Sequence, residues 1–259
     1  MAHIHPLRAF WLAPVALLVA CDGTGPKASQ PISLSVTTRS VTRSAPSGPN
    51  ADIQIGTGAN SLTISQAQIV LSRIELSPSG TCAATGEEDD CDELKVGPSL
   101  LDLPVSGSTQ VVLDALVPAG TYDALQAKLD AVTPDEDEPG ASDFLTAHPD
   151  FQGISVKVSG TFTDASNTAH SFTFTSAADA EIESMFQPPV TVGTGTLNLT
   201  ISVDIASWFT DATGAAIDPT NPANAELIEH NIRQSFRTFE DDNHDGMDDH
   251  EGDTGQHQP

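Results

Sequence analysis

Alternation is the feature that most constrains the fold. Leu197, Leu199, Ile201, Val203 and Ile205 are separated one by one by Asn198, Thr200, Ser202 and Asp204. Successive side chains of a strand point to opposite faces, so this period puts one apolar face against a core and one polar face outward. The pattern recurs where Ile154, Val156, Val158 and Phe162 interleave with Ser155, Lys157, Ser159 and Thr163. Phe172 and Phe174 resume it after the polar segment 164–169, which predicts a hairpin. Leu125, Ala127, Leu129 and Ala131 form another stripe, and Val111, Leu113, Ala115 and Val117 one more. Residues 66–76 and 99–103 add two further strands. Strands with one dry face bury it against a second sheet, so the expectation is a mainly β chain, an antiparallel β-sandwich of about eight strands. A single helix is expected over 221–239. Asn221 and Pro222 suit its start, and Ile228, Ile232, Phe236 and Phe239 share one face.

The N-terminus reads differently. Arg8 precedes an apolar run from Ala9 to Val19, which ends in Leu18-Val19-Ala20-Cys21. The run is too short for a helix across a bilayer core of roughly 30 Å, and it suits the apolar region of a signal peptide. The arrangement resembles the signal peptide and lipobox of bacterial lipoproteins. The resemblance implies removal of residues 1–20, lipidation of Cys21 and attachment to the bacterial cell envelope, with inner and outer membrane both open. Residues 21–50 then form a tether rich in Gly, Ser, Thr and Pro, with residues 32–36 as a candidate first strand. The β domain is expected over 51–220 and an acidic tail over 240–259.

Acids outnumber bases 36 to 10. Such a surface repels nucleic acid and suits cations or simple solubility. Many of the acids lie in short runs at 87–93, 135–138 and 240–253, which leaves the remainder of the chain able to pack. With Cys21 assigned to lipid, Cys82 and Cys91 remain as a pair. In an exported protein a disulfide between them is expected, and their spacing matches no zinc motif.

Three strings, IELSPSG (74–80), LLDLP (100–104) and VPAGTYDALQAKLDAV (117–132), resemble a group of exported bacterial lipoproteins similar to transthyretin-like β-sandwiches and known only as a domain of unknown function. The resemblance covers roughly 60–205. It implies a sandwich and no catalytic residues.

The strongest chemical signal is the run Asp241-Asp242-Asn243-His244-Asp245-Gly246-Met247-Asp248-Asp249. It resembles the calcium loops of EF-hands and thrombospondin type-3 repeats. Calcium takes about six to eight oxygens, and alternate residues of a curled loop can aim theirs inward. The resemblance implies Asp241, Asn243 and Asp245 as side-chain ligands, the Met247 carbonyl, and Asp249 directly or through water. It departs from the EF-hand at its last position, where Gly252 stands between Glu251 and Asp253. Any affinity is expected in the weak extracellular range, about 10⁻⁴–10⁻³ M. The other reading of the run is an acidic tail in solvent. Trp208 and Phe209 are expected to plug the core edge, and the histidines are given no role. The functional expectation is a non-enzymatic binding or structural module, with an unknown protein or glycan ligand. The alternatives are a calcium-dependent adhesin or glycan-binding module and, behind them, a hydrolase using carboxylates. No nucleophile elbow, zinc-protease motif or phosphate loop occurs.

Overall fold

The computed structural model describes residues 29–38, 52–79, 94–134, 139–192, 197–241, 243 and 245–247. Twelve strands among them form two sheets. The larger is organised by one long strand, β3 (Ser61–Pro78). Along one edge β3 pairs first with β8 (Val156–Thr163) and then with β7 (Gly120–Leu129). Its other edge carries β2 (Ile53–Ile55), β5 (Ser99–Leu103) and β4 (Leu94–Val96). β9 (Ala169–Ser176) flanks β8, and β10 (Ala180–Val192) flanks β7. The hairpin expected across 164–169 is present. Asp164 closes it by accepting the amides of Ser166 and Thr168 at 2.8 and 2.9 Å.

The smaller sheet has the order β12-β11-β1-β6, from β12 (Phe236–Glu240), β11 (Leu197–Val203), β1 (Ser29–Thr37) and β6 (Thr109–Pro118). The mainly β, predominantly antiparallel architecture agrees with the alternation. One pair departs from it: β1 runs parallel to β11, with Ile32 beside Leu197 and Val36 beside Ile201. Ile32, Leu34 and Val36 join Leu197, Leu199, Ile201 and Val203 in the core shared with the larger sheet. The segment expected to be tether therefore contributes a central strand, and the β fold starts before residue 51.

The C-terminal helix is also shorter than expected. α3 spans Ala225–Arg233, with Ile228 and Ile232 buried. After Gln234 the chain becomes β12, whose Phe236 lies opposite Val203 and Phe239 opposite Thr200. Aromatic and β-branched residues fit a pleated surface, and pairing with β11 gives this segment a ladder that a solvent-facing helix end lacks. A second, smaller cluster packs α1 (Ala141–Ala147) through Phe144 onto Val70, Val132 and Phe151. Trp208 and Phe209 are fully buried at the end of α2 (Ile205–Trp208). The Trp208 indole donates to Ser235 Oγ at 2.6 Å, and Phe209 meets the rings of Phe172 and Phe174.

Candidate functional site

The chain leaves β12 directly into the acidic run, whose described residues lie at different depths. Asp241 is completely buried, whereas Asn243, Asp245 and Met247 are exposed. The Asp241 carboxylate accepts three bonds. Oδ1 takes the Asp245 amide at 2.9 Å, and Oδ2 takes the Gly246 amide at 2.9 Å and the Thr200 hydroxyl at 3.0 Å. A buried polar group needs partners in place of water, and these three donors supply them. Asn243 Oδ1 also accepts the Asp245 amide, at 2.8 Å, and Asp245 Oδ1 accepts the Met247 amide at 2.9 Å. Each aspartate or asparagine side chain thus curls the chain back on itself. Gly246 completes the turn at φ 78°, a conformation open to residues without a Cβ.

Of the residues expected to hold calcium, the structure brings Asp241, Asn243 and Asp245 into one turn with Met247 next along the chain. Asp249 lies outside the described residues, as do Cys21, Cys82 and Cys91. Among the described residues no three His, Cys, Asp or Glu side chains gather as a metal-binding group. The oxygens in the turn come from two carboxylates and an amide, and each of these side chains already accepts at least one backbone amide.

The turn lies on the outer face of the smaller sheet, which sequence reasoning takes to be wet. There Ser33, Ser35, Thr37, Asn198 and Thr200 are all buried. A Cβ on Gly246 would come within 2.5 Å of Thr109 Oγ1 and 2.8 Å of Thr37 Oγ1. The Asp241 amide donates to the Asn198 carbonyl at 3.2 Å. A signal for this cover exists in the sequence: the polar positions of β1 and β11 hold small Ser, Thr and Asn residues where an open face would carry long charged ones.

A separate groove, with a volume of about 510 Å³, lies between α2 and α3. Asp204, Asp211, His230, Asn231 and Gln234 line it together with Leu227. Its carboxylates serve the local backbone. Asp204 caps α2 by accepting the Ser207 amide, and Asp211 accepts the amides of Thr213 and Ala215 and the Thr213 hydroxyl. Those donors, the Thr213 hydroxyl first, hold the Asp211 carboxyl below its usual range. No helix among the described residues is long and apolar enough to cross a membrane.

No protein-family model matches the chain, and no curated protein matches it. The transthyretin-like resemblance accordingly rests on the three strings alone. Among solved structures the chain is similar to MbnP from Methylosinus trichosporium, at 10% identity and a TM-score of 0.37, covering 82% of this chain and 99% of that one. A likeness of that size bears on neither ligand nor activity.

Proposed function

We propose that the protein is a lipid-anchored, non-enzymatic β-sandwich of the bacterial cell envelope, with a binding or structural role and a C-terminal loop that holds calcium. The anchor reading is supported by Arg8, the apolar run from Ala9 to Val19 and Cys21. An exported location also makes a Cys82–Cys91 disulfide the expected state of that pair. The non-enzymatic reading is supported by Asp204 and Asp211, whose carboxylates in the α2–α3 groove are engaged by their own turns.

The observation that carries the calcium reading is the turn at 241–247. Alternate oxygen-bearing side chains curl around a glycine of positive φ, as the resemblance to calcium loops implies. In that reading Asp241, Asn243 and Asp245 supply side-chain oxygens, Met247 its carbonyl, and Asp249 completes the set. The ion would draw the loop's negative charges together and fix the turn over the sheet.

Thermal melting of the purified protein in millimolar calcium and in chelator tests it. The expected result is a higher melting temperature in calcium, with the rise abolished in Asp245→Ala. Identical melts of the unaltered protein in the two solutions refute the calcium loop.

A further inference from the structure

Between them Asp241 and Gly246, in the turn that follows β12, lie against every strand of the smaller sheet. The loop continues directly from β12. Through Asp241 it takes the Thr200 hydroxyl and the Asn198 carbonyl of β11. Gly246 lies so near Thr37, the last residue of β1, and Thr109, the first of β6, that a Cβ on it would clash with both hydroxyls. Thr37 and Thr109 are themselves register partners, so one glycine covers the rung that ends the β1–β6 ladder. The Thr109 hydroxyl is buried there with no hydrogen-bond partner among the described residues.

The strand under this cover is the one with most to lose. β1 lies between β11 and β6, and its polar side chains Ser33, Ser35 and Thr37 are as buried as its apolar ones. Water reaching that face would compete for the hydroxyl contacts and open the ladder from the Thr37 end. We propose that loop 241–247 is a latch that retains β1 in the smaller sheet, so that the state of the C-terminal loop is transmitted to the N-terminal strand. Asp241 is the fixed post of the latch, held by Thr200, and Gly246 is the face that closes. The latch is formed by hydrogen bonds and contact and operates without a metal ion.

The test is hydrogen exchange of the purified protein in chelator, which keeps its outcome separate from the calcium reading. Gly246→Ala places a methyl where Thr109 Oγ1 and Thr37 Oγ1 stand. Thr200→Val removes the hydroxyl that holds Asp241 while preserving its shape. The expected result is exchange of the β1 amides accelerated by about tenfold or more in Gly246→Ala and by a smaller factor in Thr200→Val. The β8–β9 hairpin should exchange at its unaltered rate in both. Adding Thr109→Ala to Gly246→Ala removes the nearer of the two clashing atoms and should restore part of the β1 protection. Unchanged β1 exchange in both single variants, or acceleration shared equally by the β8–β9 hairpin, overturns the latch.

Discussion

Asp211 and Asp241 use the same carboxylate chemistry at opposite depths. Asp211 is solvent-accessible and organises a surface turn through Thr213 and Ala215. Its carboxyl is held below the usual value by those donors, against a smaller opposing effect of burial. A group depressed in the folded state contributes stability above its unfolded value, about 3.9, and loses it as pH falls through the lower folded value. Asp211→Asn keeps an acceptor oxygen and removes the titration. The melting temperature of this variant should therefore fall less steeply than that of the unaltered protein below about pH 4, with both folded at neutrality. Superimposable acid limbs in the two melting curves would count against the assignment. Asp241 was legible as a candidate ligand because of its spacing from Asn243, Asp245 and Gly246. Its burial was not legible, because an aspartate within an acidic run reads as solvated. Only the partner strand, with Thr200 at the matching position, converts it into an interior residue.

At the scale of elements, alternation located the strands whose two faces differ. β8, β9 and β7 are read from residues 154–163, 172–174 and 125–131 for that reason. It marked residues 32–36 only as a possible strand inside a tether, where β1 stands, and it misassigned Phe236 and Phe239, whose spacing of three suits one face of a helix but puts the two rings on opposite faces of β12. A bulge is equally invisible. Opposite β8, the register of β3 shifts between Ile64 and Gln66, and Ser65 Oγ donates to the Ser159 carbonyl. Beside this irregularity Gly160 approaches β3 so closely that a Cβ would stand 2.0 Å from the Thr63 carbonyl oxygen. The obstacle is backbone, which cannot swing aside as a side chain can. Gly160→Ala should therefore reduce stability by about 1–3 kcal/mol, the usual cost of overpacking, in urea unfolding followed by circular dichroism. An unfolding midpoint equal to that of the unaltered protein would mean that the strands can part there at no cost.

At the scale of the whole molecule, address and architecture are separate questions. In the proposed reading the address resides in the segment before Ser29. Cys21→Ser removes the only atom that the lipoprotein reading lets lipid attach to. The variant should move from the membrane pellet to the soluble fraction of a fractionated bacterial host, while the unaltered chain pellets. Equal partition of the two would exclude Cys21 as the anchor. The architecture has a consequence of its own, which follows from the place of β1. Its neighbours are β6 on one side and β11 on the other, with Ile32 facing both Ala115 and Leu197. A ribosome delivers β1 first and both of its partners much later. No hairpin can shelter it in the interval, since its nearer partner arrives only with Thr109–Pro118. The smaller sheet is thus a late event of synthesis, paid for by a long loop closure and slow to nucleate. Until then the nascent chain carries an unpaired strand with one apolar face, the kind of segment that holding chaperones recognise.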